Sequence, residues 1–360
     1  MKACLVTFSA SYNFGASLQA FALQNKLKEL YEEVEILDIR KTAHRKPEYY
    51  KGLKGLLLNP VVFLNKRNIN EGNYAFERFS EKYFNLTKIN YSDYSILENN
   101  PPKASIFISG SDQVFNPKVH SKTYMLDFVG DDSIKASFAA SLGTNTVLEE
   151  DKNEFVRLLK RFDYLSIREK TSAKLIEELT QKITYSNIDP VFFYNEGQWA
   201  KLEKKPNIKG LKEKDYVLVY CVYRPKDINK TIRAIKKKTK KKVLIIERRA
   251  TRFIFGGKLL LNCGPQEFLW LIRNAYFLYT TSFHGLAFGL IFQKKMIVQD
   301  NPTAPLRITD LLETLNAKDR LNYSIDEAIN NNPKNVLANI EVEKEKNENY
   351  LKEIVKNVIS

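Results

Sequence analysis

The chain has 360 residues, with 57 Lys plus Arg against 42 Asp plus Glu, which gives a formal net charge of +15. Apolar residues make up 44% of the sequence and only 14 residues are glycine, which excludes a mainly disordered chain and collagen-like or glycine-rich repeats. The length predicts two domains of about 100–200 residues each, and three scattered cysteines indicate a reducing compartment rather than a disulfide framework.

Short apolar runs alternate with helical patterns along the chain, which is typical of parallel sheets covered by helices. The first half predicts five strands, at residues 3–8, 34–39, 106–109, 136–140 and 164–167. Its predicted helices span residues 16–30, 74–84, 155–162 and 172–179. Residues 40–100 are less regular, and we interpret them as an insertion in an N-terminal Rossmann-like domain of residues 1–195.

A second series of strands and helices begins after a polar, lysine-rich linker at residues 195–214. Its predicted strands lie at residues 216–223, 243–246, 276–279 and 296–298. Its predicted helices lie at residues 265–275, 285–292 and 307–315. This pattern predicts a C-terminal Rossmann-like domain over residues 196–335, followed by a charged surface helix within residues 336–360.

The sequence therefore predicts an α/β fold with two Rossmann-like, doubly wound domains facing a central cleft. Ligands of such sheets bind beyond the carboxyl ends of the strands, so residues that follow strands are the candidates for a site. There is no G-x-G-x-x-G, P-loop or H-E-x-x-H motif, which excludes the familiar dinucleotide, NTP and zinc signatures. His44, His120 and His284 lie in unrelated segments and predict no metal site.

The positive charge is concentrated in one stretch. Residues 201–258 contain 20 Lys or Arg and 5 Asp or Glu, so the other 302 residues carry 37 charges of each sign. The density is highest at residues 236–242, but no zinc-finger, RRM or basic-zipper pattern accompanies it, so no nucleic-acid partner is predicted. This run leads into a strand at the end of the sheet opposite the cleft, where it is either solvated or in contact with an anionic membrane.

Membrane-spanning segments are not predicted. No stretch reaches the ~18 apolar residues that are needed to cross a bilayer. The opening apolar run at residues 3–8 is too short for a signal peptide, and no cleavage pattern follows it. We therefore expect a cytoplasmic protein, with peripheral contact to an anionic membrane left open.

His284 is the most informative histidine, because it follows a predicted strand and begins a predicted helix. The first amides of a helix lack partners and carry the positive end of its dipole, an arrangement that binds phosphate and other anions. Ser282 either caps this helix or donates to a phosphate oxygen, and Gly285 lets a ligand approach the backbone. A protonated imidazole there neutralises charge or delivers a proton. The alternative is a capping serine followed by a histidine that only packs.

Two turns of the N-terminal domain occupy equivalent places. Asn13 and Gly15 lie after the first strand, where Asn13 either caps the next helix or bonds to a hydroxyl group. Ser111, Asp112 and Gln113 follow the third strand. Small polar residues there suit a hydroxyl-rich ligand such as a sugar, and a surface turn is the equal alternative.

Arginines follow several predicted strands. Arg168 ends the strand at residues 164–167, and its planar guanidinium group suits a carboxylate or a phosphate. A pair with Glu169 or Asp163 is the simpler interpretation. In the second domain, further arginines follow the strands: Arg224, Arg248, Arg249 and Arg252. Together these residues predict a cleft that is lined by cations.

Eight segments occur in an order that is specific as a set. They are N-F-G-A-S-L-Q-A-F-A-L-Q at 13–24, G-S-D-Q-V-F-N-P at 110–117, A-S-F-A-A-S-L-G at 136–143, S-I-R-E-K at 166–170, D-P at 189–190, G-P-Q-E-F-L-W-L-I-R-N-A at 264–275, T-S-F-H-G at 281–285 and R-I-T-D-L-L at 307–312. This series resembles the polysaccharide pyruvyl transferase family over roughly residues 3–320. Two positions depart from the family pattern: Phe14 stands where a tyrosine is usual, and Thr281 where an aspartate is common.

The resemblance implies a fold like that of two-domain GT-B glycosyltransferases. It also implies an activity, which is the transfer of a pyruvyl group from phosphoenolpyruvate onto two hydroxyls of a sugar to give a cyclic ketal and phosphate. His284 and Arg168 match the donor-site histidine and arginine of the family, and segments 13–15 and 111–113 match its cleft-lining motifs. The implied partners are phosphoenolpyruvate and a sugar or lipid-linked oligosaccharide acceptor, without a metal or other cofactor.

In this interpretation His284 binds the phosphate and acts as the general acid, while Arg168 holds the carboxylate or the phosphate. Further substrate contacts are expected from neighbouring residues of the cleft: Ser282, Phe283, Gly285, Arg224 and Arg307. Two other functions stay open. One is a glycosyltransferase that uses a nucleotide sugar in the same cleft, and the other is a non-catalytic glycan- or anion-binding protein of the same fold.

Overall fold

The computed structural model describes residues 1–9, 11–40, 65–118, 121–144, 146–147, 149–247, 256–300, 305–330 and 332–359. Within them the chain forms two parallel sheets whose strands are connected by helices, which confirms the predicted α/β fold. No helix in these ranges is both long and apolar enough to cross a membrane. Several predicted features lie outside the described residues: residues 41–64 of the insertion, His44, His120, Arg248, Arg249 and Arg252.

The first sheet has six parallel strands in the order β2-β1-β3-β4-β5-β6. Its strands are β1 (Lys2–Val6), β2 (Glu33–Ile36), β3 (Ile106–Asp112), β4 (Ile134–Ala140), β5 (Leu165–Ile167) and β6 (Thr184–Ser186). The helices of this half are α1 (Phe14–Lys28), α2 (Lys66–Tyr83), α3 (Tyr94–Asn99), α4 (Glu149–Lys160) and α5 (Lys170–Thr180). The strand β6 is absent from the sequence prediction, because three half-buried residues are too few to show a period.

The second sheet has five parallel strands in the order β11-β10-β7-β8-β9. Its strands are β7 (Tyr216–Tyr220), β8 (Lys242–Ile246), β9 (Lys258–Leu260), β10 (Phe277–Thr280) and β11 (Met296–Val298). The helices of this half are α6 (Glu196–Ala200), α7 (Ile228–Thr239), α8 (Pro265–Arg273), α9 (Phe283–Ile291), α10 (Pro305–Thr314) and α11 (Ile325–Asn330). The short edge strand β9 is also absent from the sequence prediction.

One hydrophobic cluster runs through both halves of the molecule and includes residues of α1, α8 and α9. The ring of Phe14 in α1 stacks on Phe268 in α8, with 4.5 Å between centroids and 10° between planes. The same ring meets Tyr220 edge-on at 5.7 Å. Because Phe14 follows β1 and Tyr220 ends β7, the carboxyl ends of the two sheets are in contact where the sequence predicts a cleft. The fully buried position also explains why an apolar ring is accommodated where a tyrosine is usual.

The C-terminal helix α12 (Leu337–Ile359) exposes one charged face, as the sequence predicts, but it also buries its other face, which the sequence prediction does not include. Its Tyr350 is 3% exposed and donates a 2.8 Å hydrogen bond to the carbonyl of Ser137 in β4. Asn347 accepts from the amide of Ile188 at 3.1 Å and donates to its carbonyl at 2.9 Å. The chain therefore returns from the second sheet to cover the first.

Candidate active site

The helix α9 begins at Phe283, shortly after the strand β10 of the second sheet. Ser282 is its N-cap residue, and the Ser282 hydroxyl accepts a 3.3 Å hydrogen bond from the amide of Gly285. Thr281 Oγ1 lies 3.1 Å from the amide and 2.7 Å from the carbonyl oxygen of Tyr223, which holds the loop after β7 beside this turn. His284 follows in the first turn and is 4% exposed.

His284 packs on the first turn of α1, which belongs to the other sheet. A β-carbon at Gly15 would lie 1.9 Å from His284 Nδ1, so only glycine leaves room for this imidazole. Asn13 caps α1 by accepting from the amides of Gly15 and Ala16 at 2.9 and 3.3 Å. Asn13 therefore caps the helix, which is one of the two roles that the sequence predicts for it. The N-termini of α1 and α9 therefore meet at His284.

A buried carboxylate links His284 to Arg168. Asp189 is fully buried and accepts hydrogen bonds from Arg168 Nη1 at 2.8 Å and from Ser111 Oγ at 3.2 Å. Its Oδ2 lies 3.6 Å from His284 Nε2, which is too long for a hydrogen bond but close enough to attract a protonated ring. Burial raises the pKa of Asp189, but His284 and Arg168 outweigh burial and hold that pKa well below its usual range. The carboxylate is thus ionised at neutral pH.

Two arginines from opposite halves of the chain flank the ring of Phe283. The guanidinium carbon of Arg168 lies 4.1 Å from the ring centroid, and that of Arg307 in α10 lies 5.2 Å from it. Arg307 Nη2 donates to Asp112 Oδ1 at 3.1 Å. Burial lowers the pKa of Arg307, and the positive charge of Arg168 lowers it further. The site therefore concentrates two cations in a nearly dry environment.

Four buried polar atoms of this cluster have no hydrogen-bond partner among the described residues: Arg168 Nη2, Arg307 Nε, His284 Nε2 and Glu169 Oε2. Buried polar atoms are normally paired, so an unpaired group of this size is unusual. Three of the four are nitrogens of basic side chains. An anion with several oxygens is the kind of ligand that would pair with them.

The residues Ser111 and Asp112 belong to a strand and not to the surface turn that was their alternative interpretation. The strand β3 continues through both, because Asp112 pairs in register with Ala140 of β4. A contact of these residues with a sugar stays a prediction. Ser111 is fully buried and bonded to Asp189, and Asp112 holds Arg307. Both residues support the two arginines of the site.

Three other predicted site residues have roles outside the cluster. A β-carbon at Gly285 would lie 2.2 Å from Thr280 Oγ1, so this glycine allows α9 to pack on β10, and its amide is bonded to Ser282 rather than free for a ligand. Gln113 packs beside Gly143 and accepts from Asn116 at 3.1 Å. Arg224 pairs with Glu247 after β8.

Two acidic residues of the cluster are not among the predicted site residues. Asp189 belongs to the D-P pair at 189–190 and follows the short strand β6, which the sequence does not predict. Glu169 is predicted only as a partner of Arg168, and it does accept from Arg168 Nε at 3.2 Å. Asp163 instead accepts from the amide of Lys135 at 2.8 Å.

A groove of about 460 Å³ opens elsewhere, between the end of α9 and the start of α12. Its lining includes Phe192, Ile291 and Leu337, and none of the residues of the His284 cluster contributes to it.

Within the described ranges, no group of three His, Cys, Asp or Glu side chains is placed to hold a metal ion. The His284 cluster is therefore the best candidate for an active site.

Comparison with protein families gives one match that covers most of the chain. The model of the family described as polysaccharide pyruvyl transferase matches residues 13–301. The resemblance found in the sequence motifs is thereby confirmed. A search of curated proteins gave no match.

Solved structures with a similar fold include UDP-N-acetylglucosamine 2-epimerases. The enzyme from Rickettsia bellii is 11% identical with a TM-score of 0.55, and the alignment covers 99% of this chain and 98% of that chain. The Methanocaldococcus jannaschii enzyme, in complex with UDP-GlcNAc and UDP, is 14% identical with a TM-score of 0.53 and coverages of 95% and 98%. The Neisseria meningitidis enzyme, bound to UDP-GlcNAc, is 12% identical with a TM-score of 0.53 and coverages of 98% and 100%. At these identities the likeness shows the fold alone, which is the GT-B arrangement.

Proposed function

Because the chain belongs to the polysaccharide pyruvyl transferase family, we propose that it transfers a pyruvyl group from phosphoenolpyruvate onto two hydroxyls of a sugar. The product is a cyclic ketal that carries the pyruvate carboxylate, and phosphate is released. The proposed acceptor is a sugar of a cell-surface polysaccharide or of its lipid-linked oligosaccharide precursor. The observation that carries the proposal is the buried cluster of Arg168, Arg307 and His284 with unpaired nitrogens on all three.

The proposed donor fits the charges of this cluster. Phosphoenolpyruvate carries a carboxylate and a phosphate, so its site needs several cations and N–H donors. Arg168 and Arg307 approach the same Phe283 ring, and planar guanidinium groups bind carboxylates and phosphates through paired hydrogen bonds. We place the donor across Phe283, with its two anionic groups on the two arginines.

His284 is the proposed general acid. Its transfer of a proton to the methylene carbon of phosphoenolpyruvate would make a methyl group and an oxocarbenium-like centre at the adjacent carbon. The first sugar hydroxyl adds to that carbon and returns a proton to His284. The bond from carbon to the phosphate oxygen then breaks, with its electron pair remaining on the phosphate. The second hydroxyl adds in its place, and its proton leaves with the phosphate.

Asp189 and the arginines would support this reaction without exchanging protons. The Asp189 carboxylate lies 3.6 Å from His284 Nε2 and attracts the protonated ring electrostatically. The arginines neutralise the charge that collects on the departing phosphate, and in a buried site this attraction is stronger than in water. The proposal therefore assigns proton transfer to His284 and charge stabilisation to Arg168 and Arg307.

Thermal unfolding with added ligands tests the donor. Phosphoenolpyruvate should raise the unfolding temperature of the wild type by mass action. Arg168→Gln should lose this shift, whereas Arg157→Gln, which removes an exposed arginine paired with Glu154 in α4, should keep it. Stabilisation by UDP-N-acetylglucosamine and not by phosphoenolpyruvate would favour a glycosyltransferase. No shift with either ligand would favour a non-catalytic glycan-binding protein.

A substitution of His284 separates binding from chemistry. His284→Gln should keep a shift with phosphoenolpyruvate, because both arginines remain. Its release of phosphate from phosphoenolpyruvate, in the presence of a panel of sugar acceptors, should fall by about 10²–10⁴-fold. Full turnover by His284→Gln would rule out its role as the general acid.

A further inference from the structure

The second sheet presents a dense group of lysines at the edge opposite the His284 cluster. We call this group the basic edge and define it by its eight members: Lys212, Lys214, Lys236, Lys237, Lys238, Lys240, Lys241 and Lys242. We propose that the basic edge binds the anionic phospholipid headgroups of a membrane surface. The proposal rests on position, exposure and charge, and it does not depend on the proposed function.

The lysines gather where the strands of the second sheet begin. All strands of a parallel sheet start at the same edge, and Lys242, the first residue of β8, pairs in register with Tyr216, the first residue of β7. Lys242 Nζ lies 3.3 Å from Asp215 Oδ2. Lys241 Nζ lies 5.4 Å from the ring centroid of Tyr276, which precedes β10. The segments that lead into β7, β8 and β10 therefore meet at this edge, whereas the candidate active site lies at the carboxyl edge.

The basic edge is open to solvent and carries surplus charge. Seven of its eight lysines are exposed, and Lys241 is half-buried. Lys238 pairs with Asp326 and Lys242 with Asp215. Glu213 adds a third carboxylate beside these lysines. Eight positive and three negative charges leave a net charge of about +5 at this edge. Exposed ion pairs of this kind hold their partners weakly, so they leave the surface available.

The fold accounts for only part of this charge. α7 ends at Thr239, and cations in the last turn of a helix are favoured by its dipole. That dipole amounts to about half an elementary charge, which is much less than the surplus. The packing of α7 depends instead on Ile228, Ile232 and Ile235, which are buried. Among the described residues, no carboxylate lies within ion-pair distance of Lys236, Lys237 or Lys240, so their charge is available to a partner.

The residue types favour a lipid surface over nucleic acid. Single strands are bound through aromatic rings on which bases stack, and base edges of duplexes are read mostly by arginine and by amide side chains. The aromatic ring beside the basic edge, that of Tyr276, is half-buried and lies against Lys241, so it is not open for stacking with a base. Clustered lysines without an apolar anchor are the pattern expected for reversible, electrostatic binding to anionic lipids.

Co-sedimentation with lipid vesicles tests the proposal. The full-length protein should bind vesicles that contain phosphatidylglycerol and not vesicles of phosphatidylcholine alone, and added salt should weaken the binding through screening. A variant with Lys212→Gln, Lys236→Gln, Lys237→Gln and Lys240→Gln should bind at least about tenfold more weakly. This is a lower limit, since each lysine near an anionic surface contributes about a factor of five.

A matched variant controls for net charge. It replaces four exposed lysines outside the basic edge, Lys88→Gln, Lys160→Gln, Lys174→Gln and Lys352→Gln, and it should bind like the wild type. An equal loss in both variants would overturn the proposal, as would failure of the wild type to bind phosphatidylglycerol vesicles at low salt. Tighter binding to single-stranded RNA than to vesicles, lost in the basic-edge variant, would point to nucleic acid instead. Circular dichroism of both variants checks that they fold.

Discussion

The carboxylate of Asp189 joins residues that lie far apart in the sequence. It accepts from Arg168 after β5, from Ser111 in β3 and from the amide of Val191, and it faces His284 from the other sheet. Removing its charge would leave the guanidinium of Arg168 buried with Glu169 as its remaining acidic hydrogen-bond partner. A buried charge that loses its partner is strongly destabilising. Asp189 is therefore central to the stability of the site as well as to the proposed chemistry.

Asp189→Asn keeps the shape of the side chain and removes its charge. We expect it to lower the free energy of unfolding by about 3 kcal/mol at neutral pH, measured by urea titration. Ser111→Ala removes only one neutral hydrogen bond to the same carboxylate and should cost about 1 kcal/mol. Equal costs for the two variants would contradict the importance of the charge.

The same carboxylate predicts a dependence of stability on pH. The pKa of Asp189 in the folded protein lies well below the unfolded value of about 3.9. A depressed pKa contributes stability that is complete above the unfolded pKa and is lost as the pH falls toward the folded one. The gap in unfolding free energy between the wild type and Asp189→Asn should therefore narrow below about pH 4. Urea titrations at a series of pH values measure this gap, and a gap that widens on acidification would contradict the assignment.

At the scale of elements, the site depends on how closely α1 and α9 approach each other. The approach is set by Gly15, where a side chain would occupy the place of the His284 ring. Alanine is favoured over glycine inside a helix by about 0.5–1 kcal/mol, so a loss caused by alanine here can come only from the contact. The absence of a side chain at Gly15 therefore allows His284, the proposed general acid, to occupy its position between the two helices.

Gly15→Ala should displace His284 and reduce the release of phosphate from phosphoenolpyruvate by about 100-fold or more. The control is Gly130→Ala, because a β-carbon at Gly130 has no atom within 4 Å. The imidazole NMR signal of His284 reports its displacement independently of turnover. If Gly15→Ala left both that signal and turnover unchanged, the close contact would be unimportant.

The helix α12 offers a second test at this scale, because it has one buried and one exposed face. Leu351 is 1% exposed and Val342 is 54% exposed. Leu351→Ala should lower the free energy of unfolding by about 2–5 kcal/mol, and Val342→Ala should stay within about 0.5 kcal/mol of the wild type. Denaturant titration measures both. Similar values for the two variants would mean that α12 gains no stability from its buried face.

The sequence predicts those features that have a local signal. Strand and helix periods and the motifs around Arg168 and His284 are local, and they predicted the α/β fold and the two basic residues that the structure brings to the same carboxylate. The burial of Ser111 and Asp112 depends on pairing with β4, and the role of Asp189 depends on three segments meeting in space. Neither the burial of Ser111 and Asp112 nor the role of Asp189 produces a periodic pattern in the sequence.

The buried face of α12 does show a periodic pattern in the sequence, but the many charged residues of this segment hide it. Ile340, Asn347 and Ile354 are buried and recur at intervals of seven residues, which places them on one side of a helix. The many lysines and glutamates between them gave the segment the composition of a surface helix. A period is therefore a better guide to burial here than the overall charge of the segment.

At the scale of the whole molecule, the two sheets share one core and close over the site. Arg168 is 7% exposed and His284 is 4% exposed, so binding of the proposed donor would require the two halves to separate. Such a separation would break the contact between Phe14 and Phe268 and the hydrogen bond from Arg307 to Asp112. The same contacts that complete the site also couple the folding of the two halves.

This coupling predicts that the two halves unfold together. Trp199 and Trp270 are the two tryptophans of the chain, so a Trp199→Phe variant retains fluorescence from α8 of the second half alone. In urea its fluorescence midpoint should coincide with the midpoint from far-ultraviolet circular dichroism, which reports on both sheets. Adding Phe268→Ala should lower both midpoints together, because this ring packs on Phe14 of the first half. Two separate midpoints would mean that the halves fold independently and that the shared core contributes little to holding the site closed.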